Sequence, residues 1–147
     1  MNKLKLFTFF FASLLMLTLT GCDKDDDSDL SKTELLTGGE WTGDQFYVGG
    51  MNITKTLEEE FEYEIAKSRF NFGKDGSYTF KYDGSVVRSG KWEFGSGEQT
   101  IILDKGTDDE NILKVKKLTS SELNLDGETS IDEEGFMSIE GEIRLKR

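Results

Sequence analysis

Alternation of apolar and polar residues is the sequence feature that most constrains the fold of this chain. The clearest example is residues 137–146, where every second residue is apolar or glycine and the residues between them are polar or charged. A period of two places alternate side chains on opposite faces of a β-strand. The same pattern recurs from Phe70 onward, so the sequence predicts a series of short strands that each turn one face to a core.

Tight-turn signals separate these alternating runs. Lys74-Asp75-Gly76, Asp83-Gly84 and Gly95-Ser96-Gly97 each lie between two runs, which is the pattern of antiparallel hairpins. About eight strands result. A meander in which every strand has one apolar face removes its exposed edges by closing on itself. The predicted fold is therefore all-β, an up-and-down antiparallel β-barrel.

Residues 51–66 carry two conflicting periods. Leu57, Phe61 and Ile65 recur at helical spacing, whereas Phe61, Tyr63 and Ile65 alternate with glutamates at strand spacing. We expect a short helix or turn near residues 54–60, after the first strand, followed by another strand.

The N-terminus has the layout of a secretory signal. Lys3 and Lys5 precede the uncharged run of residues 6–20, whose roughly 14 apolar residues are fewer than the ~20 that span a membrane. Leu19-Thr20-Gly21-Cys22 resembles the lipobox of bacterial lipoproteins. That resemblance implies removal of residues 1–21, acylation of Cys22 and attachment to a membrane through the lipid. Cys22 is the only cysteine, so neither disulfides nor thiol catalysis is expected.

Residues 22–35 are expected to form an acidic tether, because residues 23–29 offer almost nothing apolar to bury. A lysine followed by acids after the lipidated cysteine resembles the surface-export signal of Bacteroidota lipoproteins, which implies an outer-membrane protein exposed on the cell surface. No metal site is predicted, although one alternative stays open. Four acids fall near the spacing of a calcium loop, but Ser28 occupies the position of its turn glycine. These acids are Asp23, Asp25, Asp27 and Glu34.

Composition excludes several functions. Without residues 1–21 the chain has 16 basic and 29 acidic residues, a net charge of −13, which disfavours nucleic acid as a partner. The chain has no histidine, so histidine-based triads and most zinc sites are excluded. We expect no catalytic residues, no cofactor and no enzyme activity, since the many acid pairs arise by chance.

Short motifs resemble the lipocalin-like domain of Bacteroidota lipoproteins, and this resemblance covers most of residues 36–147. It implies a lipocalin-like barrel and a location, and it carries over no functional residue. In lipocalins an arginine from a late strand often covers the tryptophan of the opening Gly-x-Trp motif, and Arg144 or Arg147 is available here. The motifs are Leu36 through Gly39-Glu40-Trp41, Phe70-Asn71-Phe72, Asp75-Gly76-Ser77-Tyr78-Thr79, Gly90-Lys91-Trp92, Lys117-Leu118-Thr119 and Glu122-Leu123.

Two functions are compatible with such a barrel. The first is binding of a small apolar or amphipathic ligand inside it, with Gly90 and Gly141 expected either to leave space or to act as strand kinks. The candidate pocket residues are Phe70, Phe72, Tyr78, Phe80, Trp92, Phe94, Met137, Ile139, Gly141 and Ile143.

The second function is interaction with an envelope protein, as an accessory to an outer-membrane complex, through an acidic loop rim. In a meander, alternate loops share one end of the barrel, so Asp83-Gly84, Asp104–Asn111 and Asp126–Gly135 are expected to meet there. The candidate rim residues are Asp108, Asp109, Glu110, Asp132, Glu133 and Glu134.

Overall fold

A single antiparallel sheet closes into a barrel in the computed structural model, which describes residues 29–130 and 138–147. The strands are β1 (Trp41–Val48), β2 (Met51–Asn52), β3 (Ser68–Phe72), β4 (Ser77–Tyr82), β5 (Ser85–Phe94), β6 (Thr100–Leu103), β7 (Asn111–Leu118), β8 (Glu122–Ser130) and β9 (Ser138–Lys146). The helices are α1 (Lys32–Thr37), α2 (Thr54–Phe61) and a 3-10 turn at Ile65–Lys67.

Closure comes from β1, which pairs with both β3 and β9. Trp41 lies opposite Phe70 on one side, and Gly43 lies opposite Leu145 on the other. Strands β3 to β9 follow one another as an unbroken meander, so the ring contains eight strands with β2 appended to β1. The predicted up-and-down barrel is confirmed, and so is the short helix after the first strand.

The alternation seen in the sequence fills the barrel interior. Along β9, Gly141, Ile143 and Leu145 are buried while their neighbours are partly or fully exposed. Burying a large apolar side chain contributes about 1.5–3 kcal/mol, so this interior is the main stabilising element. The largest fully buried apolar side chains are Trp41, Phe46, Phe72, Leu36, Leu57, Ile101, Leu123, Leu125 and Leu145.

Helix α1 covers one end of the barrel and begins within the last part of the segment predicted to be a tether. Ser31 and Glu34 form a capping box at its start, and Leu36 is fully buried. Trp41 Nε1 donates a hydrogen bond of 2.9 Å to Leu36 O. The guanidinium of Arg147 lies 3.9 Å from the centre of the Trp41 ring, so Arg147 is the arginine that covers the tryptophan.

The strand order gives the barrel two unlike ends. The closed end carries α1 and the turns at residues 73–76, 95–99 and 119–121. The open end carries the Gly49-Gly50 turn, α2, the Asp83-Gly84 turn and the loop Asp104–Glu110. Within residues 29–130 and 138–147, no helix is long and apolar enough to cross a membrane.

The strand predicted after residue 60 is wrong. Helix α2 continues to Phe61 and ends because Glu62 adopts a left-handed conformation. Tyr63 is buried, with its ring stacked 4.5 Å from that of Tyr82 and its hydroxyl 2.8 Å from Ser68 Oγ. Along its upper half β1 already pairs with β9 and β2, so the segment crosses beside β1 instead of joining the sheet.

The loop predicted at Asp126–Gly135 also begins too early. Strand β8 continues to Ser130, and Asp126 and Glu128 pair with Glu142 and Glu140 of β9. The β8–β9 hairpin therefore extends past the start of β7. Its polar residues are compatible with strand structure, because the outer face of the sheet meets water.

Candidate functional site

An open cleft lies at the mouth of the barrel, between the loop Asp104–Glu110 and the upper half of the β8–β9 hairpin. It encloses about 730 Å³, and we call it the mouth cleft. Its walls are mostly polar, and carboxylates approach it from both sides. The lining residues are Arg88, Asp108, Asp109, Glu110, Asn111, Ile112, Gly127, Glu128, Ser138 and Glu140.

Two lining carboxylates face each other across the hairpin. Glu128 and Glu140 are directly opposed in the register of β8 and β9. Like charges at opposed positions of an antiparallel pair are destabilising. Ser138 Oγ donates a short hydrogen bond to Glu128 Oε1, which partly offsets that repulsion. Asn111 Nδ2 donates to Glu128 O at 2.8 Å and joins the hairpin to the second wall.

That second wall is the end of the loop Asp104–Glu110. Asp108, Asp109 and Glu110 follow one another there, and all three are exposed. The loop holds its own shape, since Glu110 Oε2 accepts a hydrogen bond of 2.7 Å from Gly106 N and Thr107 Oγ1 donates to Asp104 O at 2.7 Å. Its carboxylates are therefore presented on an ordered turn.

Arg88 is the one cation among the described residues that line the cleft. It shares the parity of Gly90 and Trp92 on β5, which places its side chain on the inner side of the wall. Its Nη2 donates to Asp109 O at 2.6 Å and to Asp104 Oδ2 at 3.2 Å. Arg88 thus ties the loop to the barrel, and most of its charge is committed to protein acceptors.

Asp104 turns away from the rim and into the barrel. Tyr78 Oη donates to its Oδ2 at 2.6 Å, and Lys91 N donates to its Oδ1 at 3.0 Å. The carboxylate occupies the space beside Gly90, where a Cβ would lie 2.7 Å from Asp104 Cγ and closer still to Oδ1. Gly90 is therefore required at this position, and the space beside it is filled.

These contacts shift two pKa values in opposite directions. Burial, followed by the hydrogen bond to Asp104, raises the pKa of Tyr78 far above its ordinary value. Burial acts against the charge of Asp104 too, but hydrogen bonds from Tyr78, the Lys91 amide and Arg88 outweigh it and lower the pKa of that carboxyl. At neutral pH the pair consists of a neutral phenol that donates to an ionised carboxylate.

The space beside Gly141 is occupied by residues of β1. A Cβ there would lie 2.5 Å from Tyr47 O and 2.8 Å from a ring carbon of Phe46. Of the two alternatives for these inward glycines, open space beside them is wrong, because Phe46 and Asp104 occupy that space.

Most of the other predicted pocket residues lie in the barrel core or pack against it. Phe72, Tyr78, Trp92 and Ile143 are buried in the core, whereas Phe70, Phe94 and Ile139 are partly buried against it. Their rings pack on each other. The Phe70 and Phe80 rings stack at 4.5 Å, while Trp92 meets Phe72 and Phe94 edge to face. Met137 lies outside the described residues.

Of the predicted rim residues, Asp108, Asp109 and Glu110 line the mouth cleft. Asp132, Glu133 and Glu134 lie outside the described residues, and so do Cys22 and the first three acids of the calcium-loop alternative, Asp23, Asp25 and Asp27. The fourth, Glu34, accepts hydrogen bonds from Ser31 in the capping box. No three of the described Cys, Asp or Glu side chains come close enough together to hold a metal ion.

Two of the charged lining residues, Arg88 and Glu140, were not predicted from the sequence. Arg88 had a readable signal, because a charged residue at the inward parity of an aromatic strand needs a buried or partly buried partner. Glu140 had none, since its position opposite Glu128 depends on how far β8 continues.

Models of known protein families and curated proteins give no match to this sequence. The chemistry of the mouth cleft is therefore the basis for inferring a function.

Proposed function

We propose that this protein is a lipid-anchored cell-envelope protein whose barrel presents an acidic cleft to a basic segment of another envelope protein. One observation carries the proposal. Acidic residues of two separate walls line the same cleft: Asp108–Glu110 on the loop, and Glu128 and Glu140 on the outer face of the hairpin. A cationic partner between the walls would relieve repulsion within each of them.

The electrostatics of the cleft favour this partner over a carboxylate ligand or a metal ion. Arg88 is largely engaged with Asp104 and Asp109, so little positive charge remains to attract an anion. An open, water-filled cleft holds exposed charges in a high dielectric, where each ion pair contributes about 0.2–1 kcal/mol. Useful affinity therefore requires several pairs at once, which a basic protein segment supplies and a single small cation does not.

Packing in the interior supports an interaction surface more than a ligand cavity. Phe46 and Asp104 fill the space beside Gly141 and Gly90, and neighbouring aromatic rings pack against one another. A small apolar or amphipathic ligand stays the alternative, and it would need these side chains to move apart.

The proposed membrane attachment is supported by sequence motifs near the N-terminus. Acylation of Cys22 would anchor the barrel, and the lysine and acids after it favour the outer membrane and exposure on the cell surface. Two or more acyl chains hold a protein stably in a bilayer. The partner is accordingly expected in the envelope.

Site-specific photo-crosslinking in intact cells tests the cleft. A benzophenone side chain at position 112 replaces Ile112, which lines the cleft and is exposed; a second at position 86 replaces Val86, which is equally exposed but lies outside it. We expect a discrete protein adduct from position 112 and none from position 86. Its partner should carry a basic segment at the crosslinked site.

Charge-neutralised variants supply the matched control. Changing Asp108, Asp109 and Glu110 to Asn, Asn and Gln should abolish the adduct, whereas changing Glu58, Glu59 and Glu60 of α2 to Gln removes the same charge elsewhere and should preserve it. An adduct that survives the first triple change contradicts the proposal. A bound small molecule that survives it, seen by native mass spectrometry, favours the interior-ligand alternative.

A further inference from the structure

The structure fixes where the chain leaves the barrel toward Cys22. Lys32 Nζ donates to Glu98 O at 2.9 Å, and Arg147 Nη2 donates to Leu35 O at 2.7 Å. Leu36 of α1 is fully buried, and these two bonds attach the start and the later part of the helix to the closed end. The segment that leads to Cys22 therefore departs from the closed end, opposite the mouth cleft.

The length of that segment limits how far the barrel stands from its anchor. Residues 23–31 separate Cys22 from α1, and nine extended residues span at most about 30 Å. Strand β9, with nine residues, is roughly 30 Å long, and because barrel strands are tilted the barrel itself is shorter than that. The barrel consequently stays close enough to a bilayer for its charge distribution to influence its orientation.

Charge is distributed unequally between the two ends. At the open end, α2 with Glu62, the Asp83-Gly84 turn and the loop Asp104–Glu110 contain nine carboxylates and two lysines. At the closed end, α1, the three turns and the last two residues contain four cations and three carboxylates, and residues 23–31, which lead into that end, add one lysine and five aspartates. An anionic membrane surface therefore repels the open end more strongly than the closed end. Leu30, the exposed apolar residue of the closed end, adds no charge to that face.

We infer that the closed end is the surface that faces the bilayer, so that the mouth cleft points away from the membrane. This inference rests on the proposed lipid anchor and narrows the class of partner. The basic segment reaches the cleft from the aqueous phase, and it belongs to a soluble domain or to a part of an envelope protein that projects from the membrane.

A matched pair of serine-to-cysteine variants tests the orientation. Ser96→Cys lies in a closed-end turn and Ser85→Cys lies beside the open-end Asp83-Gly84 turn; both serines are exposed and neither change alters charge. Once Cys22 carries lipid, the new cysteine is the only free thiol. The full chain is expressed in bacteria, purified from membranes, labelled with a small fluorophore and reconstituted in phosphatidylcholine–phosphatidylglycerol vesicles that contain a nitroxide headgroup lipid.

We expect quenching at position 96 to exceed quenching at position 85 by at least about threefold, since the labels lie near opposite ends of the barrel and its strands are roughly 30 Å long. The contrast should shrink in 0.5 M salt, where the Debye length falls to about 4 Å. Equal quenching at the two positions, or stronger quenching at position 85, overturns the inference.

The lipid anchor and the orientation of the barrel can be tested independently of each other. Intact-mass measurement reports acylation of Cys22 directly, and an unmodified thiol there refutes the anchor. The orientation is then tested by coupling that thiol to a maleimide lipid and comparing the acetylation of Lys32, at the closed end, with that of Lys105, at the open end. Protection of Lys32 supports the inference, and equal or greater protection of Lys105 overturns it.

Discussion

Gly90→Ala is expected to act through Asp104, although the two residues lie 14 positions apart in the chain. The added Cβ would fall 2.7 Å from Asp104 Cγ and closer to Oδ1. Ordinary contact distances begin near 3.4 Å, so the carboxylate would have to move by about 1 Å or more. Such a movement stretches its hydrogen bonds to Tyr78 Oη and Lys91 N, now 2.6 and 3.0 Å long, beyond useful geometry.

The size of the effect follows from those bonds. A hydrogen bond to a charged group contributes about 1.5–3 kcal/mol, and a buried hydroxyl left without a partner costs about 1–3 kcal/mol. Because these terms overlap in one network, we expect Gly90→Ala to reduce the free energy of unfolding by about 2–4 kcal/mol. The usual gain of about 0.5–1 kcal/mol from replacing a strand glycine by alanine offsets little of that loss.

A double-mutant cycle isolates the mechanism. In an Asp104→Ala background the obstructing carboxylate is absent, so Gly90→Ala should be neutral or stabilising by about 0.5 kcal/mol. Equilibrium urea unfolding, followed by tryptophan fluorescence, gives the four free energies. Gly127→Ala is the control, because its Cβ would meet Leu113 Cδ2 at 2.9 Å and its cost should not depend on Asp104.

Additive effects of the two substitutions would contradict this mechanism. If Gly90→Ala reduces the free energy of unfolding equally with and without the Asp104 carboxylate, the glycine is required for strand geometry and not for the carboxylate beside it.

Three further changes test the packing and the titrating groups. Burial and the hydrogen bond to Asp104 raise the pKa of Tyr78, so its contribution to the free energy of unfolding is complete below about pH 10 and declines above it as the unfolded tyrosine ionises. Tyr78→Phe should therefore reduce the loss of stability at alkaline pH in urea unfolding. An unchanged dependence of stability on pH contradicts this. Arg147→Ala uncovers Trp41 and should increase acrylamide quenching of its fluorescence, whereas Arg147→Met should preserve protection. Gly141→Ala should destabilise the barrel by about 1–3 kcal/mol in thermal unfolding, and Phe46→Leu should reduce that cost; equal costs in both backgrounds refute the packing argument.

Local periodicity predicted the strands whose alternation is unbroken. The runs ending at Phe72, Tyr82 and Phe94 formed β3, β4 and β5, and residues 137–146 correspond to β9. Each prediction succeeded because a period of two is a property of the strand itself, and the tight turns between the runs carry their own glycine signals.

The segment after α2 shows where periodicity fails. Phe61, Tyr63 and Ile65 fit a strand as well as a helix, and the choice was decided by which edges of β1 were already paired. Tyr63 then found its partners in Tyr82 and Ser68, contacts that no local pattern encodes.

Most of the strands, their hairpin turns and the short helix after the first strand could be predicted from the sequence, because apolar period and turn chemistry are local properties. Only the tertiary structure decided that Asp104 fills the space beside Gly90 and that Phe46 fills the space beside Gly141. It also decided that Glu140 joins the loop acids in one cleft. These outcomes depend on how far each strand continues and on which side chain fills each space in the interior. Both are set by packing between residues that are distant in the chain.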